Sequence, residues 1–402
     1  MLSHISGRPA PALNQLFTKG ISYKTVFPLN QEKSFLFFSA RYALSAGIKA
    51  AGIELDDTVL LPSYNCWTEI EPFLHAGIRT VYYRINSDLT VDFDDLLKKI
   101  KYTNKVKALL VTHFLGFPQP IDKIKNICKE SRLLLIEDCA HAFLSDFNGK
   151  ALGSYGDISI FSLLKTLSVP NGGVLVINNQ DITYRRNHED PNLFSTIYCA
   201  AELLKNRTCL NNNSYGEKVN KFLYNGFYNT LSIIRMTLAG FRKYVHPSGL
   251  YLVRPDAYIY NENICAWGMS AVSKAILSQT DFERVKDIRR KNYQYLLKYF
   301  LEHERGKLPF RELSPGVCPL FFPIILDSSE TREKIYTILK NKGVITHPWW
   351  DRFHPDIPWK EFPDAVYLKE KLFGLPIHQD LTYDHLDRII EEFEKAYRNI
   401  KK

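Results

Sequence analysis

Leu133–Phe143 reads LLLIEDCAHAF, and a little further on Gly153–Gly173 reads GSYGDISIFSLLKTLSVPNGG. The apolar run Leu133–Ile136 predicts a central, fully buried strand that ends on two carboxylates, Glu137 and Asp138. Asp157–Leu164 alternates and then runs apolar, which predicts a second buried strand releasing Lys165 into a loop that closes on Gly172-Gly173. The strand GGVLVIN, from Gly172, follows too closely for a crossover helix, so this pair is antiparallel. Upstream, SFLFFSA from Ser34, TVLLPSY from Thr58, TVYYRI from Thr80 and VKALLVTHF from Val106 repeat the pattern of short β-branched or aromatic runs. Each leaves room for a right-handed βαβ connection. The expectation is an α/β fold whose mostly parallel seven-stranded sheet contains one reversed strand.

Past about Asn179 the texture changes to helical-looking stretches rich in Lys, Asn, Leu and Tyr, which run to Val253. A boundary there divides the chain into a major domain, 1–253, and a smaller α+β domain, 254–402. Within the latter, Ser270–His303 carries apolar positions at helical spacing and predicts one long helix. GVCPLFFPIIL and GVITHPWW predict strands, and LTYDHLDRIIEEFEKAYRNI predicts a closing amphipathic helix.

Composition excludes several classes. With 45% hydrophobic and 24% charged residues the chain is globular rather than fibrous or disordered. A net charge of +9 suits an acidic ligand, but Lys98-Lys99, Arg185-Arg186 and Arg289-Arg290 are scattered pairs without a nucleic-acid-binding motif, which argues against a nucleic-acid partner. Seven cysteines without a CxxC pair argue against both a disulfide framework and a structural metal site. The opening MLSHISGRPAPALNQLF lacks the order of a signal peptide, and no apolar run reaches a membrane span, so a cytoplasmic protein with no membrane partner is expected.

The chemistry begins with Asp138, delivered at the carboxyl end of a buried strand, where ligands of open α/β sheets sit. Alone, it serves equally well as a helix cap. Lys165 at the end of a neighbouring strand would have its pKa lowered beside apolar walls, making a neutral amine available to an aldehyde; alone, it is an ordinary loop lysine. Together they match what pyridoxal 5′-phosphate (PLP) requires, a lysine for its aldehyde and a carboxylate for its ring nitrogen. The 27 residues separating them leave room for one helix and one strand.

IEDCAHAF, GSYGDISIFS, Lys165 and Asn171-Gly172-Gly173 resemble the DegT/DnrJ/StrS-type sugar aminotransferases, a branch of the aspartate-aminotransferase fold. The shared pattern is an acidic pair, a nearby Gln or His, G-x-x-G-D-x-x-x-[FY]-S, a lysine and a Gly-Gly turn. RRKNYQYLLKYF and FGLPIHQDLT resemble the family's C-terminal half. The resemblance implies a three-layer PLP-transferase major domain, with Lys165 as Schiff-base lysine and proton shuttle, Asp138 at the ring nitrogen and His141 near the phenolic oxygen. It implies phosphate binding at Ser39, Ala40 and Arg41, between a strand and a helix, with Ser162 as a further ligand. Trp67 takes the place of the aromatic that lies over the ring, one position later than usual. Beside these stand a partly buried helix histidine for His141, a surface arginine for Arg41, a buried strand hydroxyl for Ser162 and core packing for Trp67; His113 approaches the site or packs.

The resemblance implies a homodimer that transfers an amino group from an amino-acid donor, glutamate above all, to a keto-sugar acceptor, nucleotide-linked, in polysaccharide or secondary-metabolite biosynthesis. The alternatives are a PLP lyase, an aminotransferase with a non-sugar acceptor, and a non-catalytic PLP-fold regulator. Two departures from the pattern stand out. The chain from Ser162 to Lys165 is two residues shorter than usual, and Trp267-Gly268-Met269-Ser270 stands where G-x-N-Y-R-M is common. A histidine in place of Lys165 would suggest the family's dehydratases; lysine favours transamination.

Overall fold

The computed structural model describes residues 4–11, 15, 20, 22–185, 187–193, 195–200, 203, 226, 229, 230, 233 and 260–401. The boundary expected at 253, and most of the helical stretch leading to it, lie outside the described residues.

All seven expected strands form. They are β1 (Ser34–Phe37), β2 (Thr58–Pro62), β3 (Arg79–Tyr83), β4 (Val106–Thr112), β5 (Leu134–Asp138), β8 (Ile158–Ser162) and β9 (Gly173–Ile177), with a hairpin of β6 (Asp146–Phe147) and β7 (Lys150–Ala151) between β5 and β8. The sheet order is β1-β9-β8-β5-β4-β2-β3. β9 runs antiparallel to both neighbours and is the reversed strand; the other pairings are parallel. β2, β8 and β9 are buried along their whole length, as a sheet covered on both faces requires. Each fully buried Leu, Ile or Phe there contributes about 1.5–3 kcal/mol.

Helices α1 (Ala40–Ala50), α2 (Trp67–His75), α3 (Phe93–Tyr102) and α4 (Ile121–Ser131) connect the strands, and α5 (Leu163–Thr166) is a single turn directly after β8. Two expectations are corrected here. The link from β5 to β8 carries the β6–β7 hairpin instead of a helix, and Lys165 lies in the turn of α5 rather than in an open loop. A hairpin suffices because the Glu137 carboxylate anchors this link by its backbone, as described below.

In the C-terminal part, α6 (Ala271–Leu277), α7 (Phe282–His303), β10 (Phe322–Ile325), α8 (Ser329–Asn341), β11 (His347–Pro348), α9 (Pro363–Lys371), β12 (Leu372–Leu375) and α10 (Tyr383–Lys401) follow in order. The expected single helix from Ser270 is two helices. Ser278 Oγ and Thr280 Oγ1 turn back to donate to the carbonyls of Ala275 and Ile276, and the Asp281 side chain caps α7 by accepting from Arg284 N at 3.0 Å. β10, β12 and β11 form a small antiparallel sheet. The N-terminal segment runs beside it: Ile5 N donates to Gly343 O at 2.7 Å, and Ile345 N donates to Ile5 O at 2.9 Å. Among the described residues no helix is long and apolar enough to cross a membrane.

Candidate active site

β5 and β8 are parallel neighbours, so their carboxyl ends open on the same edge of the sheet and bring Asp138 and Lys165 together. A cavity of about 210 Å³ lies there. Its wall includes all eight residues singled out from the sequence: Ser39, Ala40, Arg41, Trp67, Asp138, His141, Ser162 and Lys165.

Side chains alternate along a strand, and this separates the two carboxylates that end β5. Glu137 is fully buried and accepts hydrogen bonds from Gly153 N (2.9 Å), Tyr155 N (2.7 Å) and Gly156 N (2.5 Å), with His113 Nε2 3.1 Å away. It therefore organises the GSYG segment from inside. Gly153 is required there: its φ is +89°, and a Cβ would fall 2.3 Å from the Phe161 ring. His113 also accepts from Gln119 N through Nδ1, so its role is packing. His113, Glu137 and Cys139 have metal-ligand chemistry, but the Glu137 oxygens already hold these N–H donors, and burial pushes the Cys139 thiol well up.

Asp138 turns the other way, into the cavity. One of its oxygens accepts from Ala140 N at 2.7 Å, in a turn rather than at a helix cap. Glu69, from α2, lines the same wall, and Thr112 Oγ1 donates to its Oε1 at 2.6 Å. Burial first, and then the charge of Asp138, hold the Glu69 carboxyl well above the usual carboxylate range. Both effects favour the neutral acid form of Glu69.

Lys165 is half-buried, and burial lowers its amine from the usual lysine range, a shift that the negative charge of Asp138 opposes. The turn that carries it is held from the C-terminal part. Thr166 O accepts from Arg289 Nη2 at 2.9 Å and from Gln379 Nε2 at 3.2 Å.

His141 is buried in a turn, not on a helix. Its Nδ1 accepts from Leu115 N at 3.3 Å, and burial, reinforced by the charge of Lys165, lowers its pKa well below the usual range. The ring is therefore neutral with its proton on Nε2, which has no hydrogen-bond partner among the described residues. The rings of Trp349 and Trp350 lie 4.9 and 5.1 Å from it.

Ser39 is the N-cap residue of α1, yet its hydroxyl makes no cap bond and is buried without a partner among the described residues. The helix start, with Ala40 and Arg41 as its first two residues, thus lies on the cavity wall together with an unused hydroxyl. Gly173 permits this approach, since a Cβ there would stand 2.4 Å from Ala40 N. Arg41 is buried rather than superficial, and Ser162 is buried at the end of β8. Trp67 lies on the wall but is engaged by other residues. Its Nε1 donates to Glu71 Oε1 at 2.7 Å, and its ring lies 4.6 Å from that of His354.

Sequence reasoning passed over Glu69, Thr112, Arg8, His347, Trp349 and Trp350, which also form the wall. Glu69 had a usable signal, being a carboxylate just beyond the carboxyl end of β2 in the same WTEIEP segment as Trp67. Trp350 adopts φ +50°, a left-handed conformation uncommon for a bulky residue.

An α/β fold with a paired lysine and carboxylate at the sheet's carboxyl edge defines a class of cofactor-dependent enzyme. The signature of the DegT/DnrJ/EryC1/StrS aminotransferase family matches residues 30–188. The chain is 32% identical over 370 residues to the GDP-perosamine synthase of Escherichia coli O157:H7, which spans 88% of this chain and 83% of that protein. It is also 34% identical over 149 residues to a dTDP-3-amino-3,6-dideoxy-alpha-D-galactopyranose transaminase of Aneurinibacillus thermoaerophilus, over 36% of this chain and 40% of the relative. The fold resembles that of Escherichia coli GDP-4-keto-6-deoxy-D-mannose-3-dehydratase with bound hydrated PLP, with a TM-score of 0.60 at 21% identity over 90% of this chain and 87% of the other. This chain belongs to the DegT/DnrJ/EryC1/StrS aminotransferase family and is an aminotransferase.

Proposed function

We propose that the protein uses PLP to move an amino group from an amino acid, glutamate above all, to a nucleotide-linked keto sugar. The observation that carries this reading is the meeting of Lys165 and Asp138 in one cavity with the unused Ser39 hydroxyl at the start of α1. The relatives' names, with their GDP- and dTDP-linked amino sugars, support the acceptor class.

The residues fit the cofactor. A phosphate dianion would satisfy the Ser39 hydroxyl at the start of α1, where the helix dipole and the Arg41 charge both favour an anion. Ser162 stands close by on the same wall as a further ligand. Bound PLP supplies an electron sink that stabilises negative charge at the substrate carbon. Asp138 would accept from the protonated ring nitrogen, and the His141 Nε2–H would donate to the phenolic oxygen. Trp67 would border the cofactor from the same wall. Lys165 carries the proton traffic: its lowered amine pKa gives Nζ a neutral fraction at which a proton is taken up and returned. Burial and the Asp138 charge both favour the neutral form of Glu69, which adds no second negative charge beside Asp138.

On this reading residues 1–253 bind the cofactor, 254–402 form the smaller domain, and the protein works as a cytoplasmic homodimer in polysaccharide or secondary-metabolite biosynthesis.

The test is reconstitution of the full chain with PLP, followed by incubation with L-glutamate and a set of nucleotide-linked keto sugars, with amine products identified by mass spectrometry. A visible cofactor band that is lost in Lys165→Ala, together with an amino-sugar product, is the expected result. Persistence of the band in Lys165→Ala, or transfer only to non-sugar acceptors, overturns the corresponding part of the proposal.

A further inference from the structure

Arg8 also lines the cavity, reaching it from the N-terminal segment rather than from the main sheet. Its backbone is held on both sides. Ile5 is bonded to Gly343 and Ile345, His378 Nε2 lies 2.9 Å from Ser6 O, and Ala10 N donates to Asp380 Oδ2 at 2.9 Å. Ser6 Oγ donates to the carbonyl of Arg8 itself at 2.6 Å. Its guanidinium, by contrast, forms no ion pair or hydrogen bond with any described residue, although the side chain is half-buried. A fixed backbone carrying an unpaired, partly desolvated cation into a cavity is how an anion site is built.

Position indicates which anion. Arg8 enters beside β11: a Cβ on its neighbour Gly7 would fall 2.5 Å from His347 Nε2, on the same wall, and the charge of Arg8 reaches Lys165, where it opposes protonation. Arg41 enters from α1, so the two guanidiniums come to the cavity from different elements. His347, which also feels Arg8, has its pKa lowered to about 3, by burial first, and so stays neutral beside it. In an amino acid the carboxylate and the amino group share one carbon, so an amine brought to Lys165 carries its carboxylate with it. In a nucleotide-linked sugar the phosphates lie across the sugar ring from a keto carbon.

We propose that Arg8 is the docking point for the α-carboxylate of the amino donor, an inference that rests on the transaminase reading above. The planar guanidinium takes a carboxylate through two parallel N–H donors.

The test compares wild type, Arg8→Gln and Arg8→Lys as full-length, PLP-loaded protein. One readout is calorimetric binding of α-methyl-L-glutamate, which has no hydrogen on Cα to lose and does not turn over. The others are KM for L-glutamate, KM for the keto-sugar acceptor, and PLP affinity. Arg8→Gln is expected to weaken the analogue and raise the donor KM by about 10- to 100-fold. PLP affinity and acceptor KM stay unchanged, and Arg8→Lys falls between because it keeps the charge but loses the fork. Analogue binding as tight as wild type in Arg8→Gln overturns the proposal. So does a rise confined to the acceptor KM, which would assign the guanidinium to the sugar nucleotide. If Arg8→Gln does not fold, Arg8→Met, which keeps the apolar stem, carries the same comparison. A wild type that transfers no amino group defeats the transaminase reading; a wild type that does, alongside an unaffected Arg8→Gln, defeats only this inference.

Discussion

Arg289 donates from Nη2 to the carbonyl of Thr166 at 2.9 Å, so a residue of α7 grips the backbone next to Lys165 from 123 positions away in the chain. The same guanidinium donates through Nη1 to Leu320 O at 3.0 Å and Pro319 O at 3.4 Å, and through Nε to Gln379 Oε1 at 3.0 Å. Burial lowers its pKa to about 10, which leaves it charged at neutral pH. One fully buried cation thus ties α5 to the segments entering β10 and following β12.

Arg289→Met removes these donors and leaves several buried acceptors unpaired, a loss of about 3–5 kcal/mol. Arg289→Lys keeps the charge but not the fork and is expected to fold with intermediate stability. In Arg289→Lys the rate constant of amino transfer should fall while PLP affinity holds, because the turn carrying Lys165 loosens and the phosphate end does not. Denaturant melts with single-turnover rates check both statements; an unaltered rate in Arg289→Lys would remove Arg289 from the positioning of Lys165.

Lys369 is a second buried cation that pairs with no carboxylate among the described residues. Its Nζ donates at 3.0 Å to the carbonyls of Asn65, Trp350 and Arg352, joining the loop before α2 to the aromatic wall of the cavity. Burial lowers its pKa from 10.5 to about 8. Below pH 8 both folded and unfolded states hold the proton, so this group adds no slope to stability. Above it the unfolded state alone holds the proton, unfolding takes one up, and stability rises with pH up to about 10.5. Lys369→Met, which lacks this group, should therefore lose ground to wild type as pH rises from about 8 toward 9.5. At neutral pH it should already be weaker by about 1–3 kcal/mol for the lost hydrogen bonds. Paired melts across that range decide the matter; a pH-independent gap would show that Lys369 does not titrate there.

The main sheet was legible because its strands are short, contiguous apolar runs whose burial is local information, and the reversed strand followed from the short link between Ser162 and Gly173. Lys165, Asp138 and Ser39 were legible for the same reason, each sitting where a strand ends. The far wall was not. Trp349 and Trp350 reach the cavity because β11 pairs with β12, placing His347 opposite Gly374, and Arg8 because Ile5 pairs beside Val344. Those pairings join segments far apart in sequence and leave no periodic trace. The break between α6 and α7 was hidden by apolar residues that keep helical spacing across it, while the hydroxyls that end α6 act through side-chain bonds that a hydrophobic pattern does not register.

Glu69 makes a prediction of opposite sign to Lys369. Its folded-state pKa is raised, so above the ordinary carboxyl value of 4.5 the unfolded chain releases a proton that the folded protein keeps, and stability falls as pH rises. Glu69→Gln mimics the protonated acid and carries no such penalty. The variant should match wild type near pH 4.5 and gain on it progressively toward neutrality, while still accepting from Thr112. Thermal melts of both proteins over that interval test this. A gap that stays constant with pH would mean that Glu69 ionises normally beside Asp138.

Ser39 separates cofactor binding from folding. Its hydroxyl is buried and makes no hydrogen bond with a described residue, so in the protein without PLP it is a cost of about 1–3 kcal/mol rather than a support. Ser39→Ala should therefore melt at the same temperature as the wild-type apoprotein or higher. If a phosphate takes that hydroxyl, the same variant should bind PLP about 10-fold more weakly, the equivalent of one hydrogen bond to a charged group. Gly173→Ala tests the same cradle from behind, since its Cβ would press on the backbone at 2.2 Å from the Ser39 carbonyl carbon, and it should lower both stability and PLP affinity. The two variants together discriminate: a cradle for phosphate predicts a loss of apoprotein stability in Gly173→Ala but not in Ser39→Ala, and a shared loss of PLP affinity. Unchanged PLP affinity in both would mean that the anion is held elsewhere in the cavity.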